Sequence, residues 1–274
     1  MNIRFQIPHS CDISPLCPYC SVRHGFEKAP VKGDPGQWWK GIQQIRDDYP
    51  HSYFCFIYGE PFSYKNLVGW MGMLSRTNKV DCVTNLVNTH EMIEQYFLNP
   101  SNLVLTASYH PHYWGDIEKF DREIDKVNKT GARLNSVFLL GYPPYIPHLL
   151  EWKKHFESKK INVYMNAFYG EYKDKKYPDN YNNNDKEIIL GSSYGNKTIF
   201  MKTKGMLCNA GKDIVYVKWN GDVTSCYTSN YYTLGNILTD RIKFFIEPKP
   251  CLSDICDCPD MFVNYLIGAD NDRD

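Results

Sequence analysis

The chain has 274 residues, 43% of them hydrophobic, with 31 basic and 31 acidic side chains and a formal net charge of zero at pH 7. That length allows one large domain, or a large one with a small appendage, and chain enough for a sizeable core. Balanced charge removes the basic footprint of a protein that grips a nucleic-acid backbone, no apolar run reaches the ~20 residues that span a bilayer, and the first residues lack a basic-then-apolar signal segment; a cytoplasmic protein is expected, with a small-molecule partner, no nucleic-acid polymer and no membrane.

In chain order, the run NIRFQI opens a series of apolar, β-rich stretches: YFCFIY near residue 55, VDCVTNL near 82, LVLTASY near 105, LNSVFLL near 136 and INVYMNAF near 164. Between them GQWWKGIQQIRDDY, NLVGWMGMLS, HEMIEQYFL, GDIEKFDREIDKVNKTG and PHLLEWKKHFESKK place apolar residues three and four apart, the period of an amphipathic helix. Six βα units over residues 1–170 predict an α/β fold: a parallel sheet, right-handed crossovers and an active face at the C-terminal ends of the strands. Six are too few to close an eight-stranded barrel, so an open, partial (β/α)6 TIM barrel is expected.

The polar stretch YGEYKDKKYPDNYNNNDKE, which leads into the segment 171–198, has no periodicity and reads as a linker or a loop over the active face. Beyond it KTIFMKTKG and DIVYVKWNGDVTSCY alternate, and Asn220-Gly221 is a hairpin turn signal. Residues 199–274 thus read as a small, Cys-rich C-terminal domain containing a β-hairpin.

The ten cysteines are clustered: Cys11, Cys17 and Cys20, then Cys208, Cys226, Cys251, Cys256 and Cys258, with Cys55 and Cys82 alone inside apolar runs as small buried hydrophobes. In a reducing compartment such clusters point to metal or catalysis rather than disulfides. The stretch CDISPLCPYC follows the first strand with the spacing C-x5-C-x2-C. A structural zinc ion there needs a fourth ligand, for which His24 is at hand. Three thiolates alone suffice for a [4Fe–4S] cluster whose remaining iron stays open to a substrate or cofactor. The residues leave both readings open.

This loop resembles that of the radical S-adenosylmethionine superfamily, in which three cysteines after the first strand of a partial barrel bind the cluster and an aromatic residue, here Tyr19, precedes the last. The commonest family spacing is C-x3-C-x2-C, so this chain carries two extra residues between Cys11 and Cys17. One βα unit later, FCFIYGEPFSY puts Tyr58, Gly59, Glu60 and Pro61 where the family carries the Gly-Gly-Glu-Pro motif that holds the cofactor's amino group, with Tyr58 replacing the first Gly. The resemblance implies polar contacts to the cofactor's carboxylate and ribose from the later strand ends, at Asn85, Ser108, His110 and Asn166. His110 and His112 read equally as substrate contacts or as plain loop residues.

The run from Cys208 through Gly221 to Cys226, with LGNI at 234–237, resembles the opening of the auxiliary-cluster domains that follow the barrel in many members. With Cys251, Cys256 and Cys258 it offers five candidates for one four-ligand metal site, of which Cys208, Cys226, Cys256 and Cys258 are the expected set. The longer run C-x2-C-x5-C-x3-C of two-cluster SPASM domains is absent, so the single-cluster twitch version fits better; a zinc ribbon is the alternative for this half.

By resemblance, then, the cofactors are a [4Fe–4S] cluster that binds S-adenosyl-L-methionine and a second, auxiliary [4Fe–4S] cluster. The implied reaction is reductive cleavage of S-adenosylmethionine, fed by an external electron donor such as flavodoxin or ferredoxin, to a 5'-deoxyadenosyl radical that takes a hydrogen atom from substrate. The first expectation for substrate is a small polar metabolite, such as a sugar, an aminoglycoside precursor or a modified nucleoside, with a lyase (queuosine-type) or a dehydrogenase (oxidoreductase) as examples. Tyr142, Tyr145, Tyr169, Tyr172 and Tyr177 would suit such a ligand and would equally suit packing. The alternative is a peptide-modifying maturase, ranked second because the first strand begins at once and the cysteine set is short; a non-enzymatic zinc-binding protein is the third reading.

Overall fold

The computed structural model, which describes residues 1–6, 11–13, 15–20, 32–190, 202–227, 231–254, 256 and 265–267, turns each of the six β-rich runs into a strand and each intervening amphipathic segment into a helix. In chain order these are β1 (Asn2–Gln6), α1 (Pro35–Asp48), β2 (Tyr53–Ile57), α2 (Lys65–Leu74), β3 (Val80–Thr84), α3 (Thr89–Tyr96), β4 (Leu103–Ser108), the short α4 (Pro111–Trp114), α5 (Ile117–Lys129), β5 (Arg133–Gly141), α6 (Leu149–Ser158) and β6 (Asn162–Ala167). There follow β7 (Gly170–Tyr172), β8 (Lys175–Tyr177), α7 (Asn183–Leu190), β9 (Leu207–Cys208), β10 (Ile214–Lys218), β11 (Asp222–Thr224), β12 (Thr233–Asn236) and β13 (Lys249–Pro250). The alternation β1 to β6 is the open (β/α)6 arrangement that the spacing predicts.

The chain forms two compact units. The first gathers Met1–Gln6, Pro30–Cys55 and Tyr194–Asp274; the second, Ile7–Ala29 and Phe56–Ser193. In the first unit the strand order is β12-β11-β10-β1-β2. The hairpin expected at Asn220-Gly221 is present, with β10 antiparallel to β11 through Tyr216↔Thr224 and Gly221 at φ 87, the left-handed region that glycine enters at little cost. A Cβ on Gly221 would also stand 2.6 Å from Asn236 Oδ1, so the same glycine makes room for the LGNI run at the end of β12. What local pattern does not reveal is the other neighbour of β10, which pairs in parallel with β1 from Asn2↔Ile214 to Gln6↔Lys218. Helix α1 starts with a capping box, Gln37 N donating to Asp34 Oδ1 at 2.9 Å and Asp34 N to Gln37 Oε1 at 3.0 Å, and buries Trp38, Ile42 and Ile45. Of the stretch KTIFMKTKG only residues 202–205 are described, and they end in a turn rather than a long strand.

In the second unit β3, β4, β5 and β6 lie side by side in that order and all parallel, from Val80↔Leu103 across to Gly141↔Ala167. Strands buried on both faces read as continuous apolar runs, which is why Leu103, Leu105, Ala107, Val137, Leu139 and Met165 are at most 1% exposed. Cys55 and Cys82, 1% and 0% exposed, are the buried hydrophobes expected of them. The polar stretch after β6 is more ordered than a linker: β7 and β8 form a two-residue hairpin, Glu171↔Lys176, and α7 follows. The turn residues Lys173 and Asp174 both have positive φ, 49° and 61°, a conformation usually announced by Asn-Gly, which is why the stretch carries no turn signal. Among the described residues no helix is long and apolar enough to cross a membrane.

Candidate functional site

Because the strands of the second unit run parallel, their C-terminal ends share one edge. Cys11, Cys17 and Cys20 belong to the same unit. Cys17 and Cys20 are joined by a turn in which Cys20 N donates to Cys17 O at 3.0 Å. The lengthened part of the loop is tied down by Asp12, which the sequence did not single out: Asn85 Nδ2 donates to its Oδ1 and Asn88 Nδ2 to its Oδ2, each at 2.9 Å. Asn85 Nδ2 also lies 3.5 Å from Cys11 Sγ, so the end of β3 meets the first thiol. The only sequence signal for Asp12 was the irregular spacing that contains it.

Glu60 is 4% exposed and spends both carboxylate oxygens on protein donors. Oε1 accepts from Phe62 N at 3.1 Å and Thr84 Oγ1 at 2.9 Å, and Oε2 from Asn85 N at 2.6 Å. Burial pushes its carboxyl up to about 8, against the pull of those three donors. Tyr58 and Gly59, at φ 78 and 57, both take the left-handed turn between β2 and Glu60; the family's glycine at the first position is the residue that does so without strain. Pro61 begins the short 3-10 turn Pro61–Ser63.

At the end of β4, Ser108 stands opposite Phe138 of β5, and the chain continues to His110. His110 Nδ1 is 2.9 Å from Tyr19 Oη and 3.5 Å from Cys17 Sγ. Burial, helped by His112, lowers the His110 ring to about 3, so the imidazole is neutral. Cys17 is 4% exposed, and burial, then the nearby Cys20 and Cys11, push its thiol up to about 12. Asn166, on β6, has a buried Oδ1 with no hydrogen-bond partner among the described residues. The Tyr19 ring packs against His112 at 5.7 Å, Tyr142 at 5.1 Å and Tyr145 at 5.8 Å, and Tyr142 in turn meets Tyr172 at 5.3 Å. Of the tyrosines picked out by sequence, Tyr142, Tyr145 and Tyr172 are thus gathered beside the thiol loop, whereas Tyr177 packs on Tyr181 and Tyr169 is 52% exposed.

The donor set fits an iron–sulfur cluster in kind: three thiols within electrostatic reach of one another, held near a neutral histidine and an amide, would be relieved of mutual repulsion by a cationic group. Among the described residues, however, no three Cys, His, Asp or Glu side chains already stand in metal-gripping geometry. His24 lies outside the described residues.

In the first unit Cys208 lies on β9, Cys226 just beyond β11 and Cys251 just beyond β13. Antiparallel pairing of β9 with β13, Lys249↔Cys208, draws the two ends together, and all three thiols line one cavity of about 30 Å³ beside Ser225, Tyr232 and Lys249. That is room for roughly one water molecule, so three cysteines line one small, partly open space. Cys256 is half-buried and does not line this cavity. Cys258 lies outside the described residues. The expected ligand set included Cys256 and Cys258 because they are close in sequence; the cavity instead brings Cys251 to Cys208 and Cys226.

A family model for the SPASM iron–sulfur cluster-binding domain matches residues 208–247, starting on Cys208. No curated protein matches the chain. Among solved structures, native anSMEcpe with bound AdoMet and Cp18Cys peptide superposes with a TM-score of 0.59 at 15% identity, covering 88% of this chain and 78% of that one. Streptococcus suis SuiB bound to S-adenosylmethionine gives a TM-score of 0.55 at 14% identity over 87% of this chain and 63% of its own, and SuiB bound to precursor peptide SuiA gives 0.54 at 13% identity. These likenesses carry the fold, and the domain match carries the auxiliary iron–sulfur site. The chain has the fold of these S-adenosylmethionine-bound radical S-adenosylmethionine enzymes, and its residues 208–247 match the SPASM-type iron–sulfur cluster-binding domain.

Proposed function

We propose that the protein is a peptide-modifying radical S-adenosylmethionine enzyme. The observation that carries the substrate class is the fold shared with anSMEcpe and SuiB, each solved with a peptide bound. This reverses the order of preference drawn from sequence. The small polar metabolite remains the second reading, favoured by the short cysteine set after residue 208.

When bound, the cofactors supply a radical able to take hydrogen from an unactivated carbon. This chain's part is to hold and shield them. Cys11, Cys17 and Cys20 hold the first cluster. The backbone of Tyr58 and Gly59, with Glu60, Pro61, Asn85, Ser108, His110 and Asn166, binds S-adenosylmethionine. Glu60 contributes by locking the start of the Asn85 loop, and the orphan Oδ1 of Asn166 is an acceptor for a bound donor. Cys208, Cys226 and Cys251, with Cys256 or Cys258, hold the auxiliary cluster, and an external flavodoxin- or ferredoxin-type protein delivers the electron.

The test is to incubate anaerobically reconstituted, reduced protein and S-adenosylmethionine with Cys- and Ser-containing peptides on one side and with sugars and modified nucleosides on the other. A peptide whose mass changes while 5'-deoxyadenosine accumulates supports the proposal. Stimulation by small metabolites alone moves the assignment to the second reading, and a colourless protein carrying zinc sinks both.

A further inference from the structure

We propose that Asp12 and Asn88 are positioning residues: with Asn85 they form a clamp that holds the lengthened gap between Cys11 and Cys17, and so Cys11 itself, in place for the first cluster. The inference rests on the cluster assignment made above and gives a role to two residues that the assignment does not use. Its geometry is one carboxylate gripped by two amides. Asn85 Nδ2 donates to Asp12 Oδ1 and Asn88 Nδ2 to Asp12 Oδ2, each at 2.9 Å, and Asn85 Nδ2 also lies 3.5 Å from Cys11 Sγ. Asp12 stands inside the five-residue gap, and a longer gap has more conformations to give up before its two thiols can hold one group.

Aiming both amides at Asp12 costs local stability elsewhere. Asn88 is the N-cap residue of α3, a position where an Asn side chain ordinarily accepts from an amide of the first turn; here it makes no such bond and turns to Asp12 instead. Leu86, 0% exposed and lying between the two amides in the chain, is held at φ 67, the left-handed region that a residue with a Cβ enters only under constraint. The constraint is a run of three pinned backbone amides: Asn85 N donates to Glu60 Oε2 at 2.6 Å, Leu86 N to Thr84 Oγ1 at 3.1 Å and Val87 N to Asn85 Oδ1 at 2.8 Å. The turn so enforced brings Asn85 and Asn88 to the same carboxylate, and strain of this kind collects where a site must be held in one shape. Hydrogen bonds to a carboxylate are stronger than neutral ones, which offsets the missing cap and the turn at Leu86. Ile13, next in the chain after Asp12, is 1% exposed, so the gap is anchored by burial at one residue and by the clamp at its neighbour.

The experiment follows the full-length, cluster-loaded protein under an iron chelator without oxygen, reading the decay of the paramagnetic signal that changes when S-adenosylmethionine is added and so belongs to the first site. Asn88→Asp is the deciding variant, at an exposed residue where folding is not at stake. Asp caps a helix as well as Asn does, so a capping role alone leaves the decay unchanged, whereas a second carboxylate facing Asp12 breaks the clamp. Its signal is expected to decay about tenfold faster, the factor that matches the loss of one hydrogen bond to a charged group. Asp12→Ala, which releases both amides, should decay faster still, and carries the test if Asn88→Asp does not load iron. The signal that does not respond to S-adenosylmethionine, from the auxiliary site, should decay at the wild-type rate in both variants. An unchanged decay of the first signal in either variant, or an equal acceleration at the auxiliary site, overturns the proposal. Wild-type protein with no signal responsive to S-adenosylmethionine overturns the cluster assignment itself, and this inference with it.

Discussion

Glu60 answers to two demands, and the balance between them is measurable. Three donors, Phe62 N, Thr84 Oγ1 and Asn85 N, converge on its carboxylate in a site that excludes water. Glu60→Ala orphans Phe62 N and Asn85 N, whereas Thr84 Oγ1 keeps Thr89 Oγ1 at 2.8 Å as a partner; at roughly 1 kcal/mol or more for each buried group left unsatisfied the loss is about 2 kcal/mol, read as a lower urea midpoint at unchanged slope. The sign of the pH dependence follows from burial. The folded carboxyl sits near 8, above its ordinary 4.5, so the folded state binds the extra proton between those values and the contribution of Glu60 to stability falls as pH rises from 4.5 to 8. The margin of wild type over Glu60→Ala should therefore be widest at acid pH; a margin that grows toward pH 8 would show the three donors outweighing burial. Glu60 was legible because Gly-Glu-Pro ends an apolar run. Cys251 was not singled out in the same way, because proximity in sequence favours Cys256 and Cys258 whereas a thiol cavity is assembled by strands 41 residues apart in register, Cys208 facing Lys249.

Between elements, one tyrosine does the joining that a polar linker would not. Tyr181, 4% exposed and just ahead of α7, donates its hydroxyl to Gly141 O at the end of β5 and accepts from Phe168 N just past β6, both at 2.7 Å. A side chain on Gly141 would strike Ile189 of α7 at 2.6 Å, so the close approach of α7 requires that glycine. Tyr181→Phe keeps the ring and strands a buried carbonyl and a buried amide, at a cost of about 2 kcal/mol. Urea unfolding should show that loss, and a change within about 0.5 kcal/mol, the range of an ordinary surface substitution, would mean that the hydroxyl is dispensable. The helices and parallel strands of the second unit were legible because their periods are local. The β7–β8 hairpin and the Tyr181 anchor were not: a Lys-Asp turn lacks the usual glycine, and a bond from residue 181 to residue 141 leaves no trace in spacing.

At the scale of the whole chain, the first unit is closed by residues from its opposite ends. Strand β1 lies between β10 and β2, and Asn2 N donates to Asp213 O at 2.7 Å while Asn2 Nδ2 reaches Tyr265 Oη at 2.8 Å. The run IVYV is buried throughout, rather than alternating as the hairpin reading of this stretch expects, because β10 is an inner strand covered on both faces, with β1 parallel on one side and β11 antiparallel on the other. Local pattern cannot name the partner, because pairing across more than 200 residues is decided by closure of the fold rather than by period. Closure also fixes how the unit opens. Ile3, Phe5, Val215 and Val217 are all 0% exposed, so β1 cannot stay ordered once β10 leaves without wetting its buried face. Val217→Asp places an unpaired charge opposite Phe5, a cost of several kcal/mol. In native-state hydrogen exchange the amides of β1 should then lose protection together with those of β10 and by the same factor, as one cooperative unit. Protection that persists in β1 while β10 exchanges freely would mean that β1 is held by β2 alone.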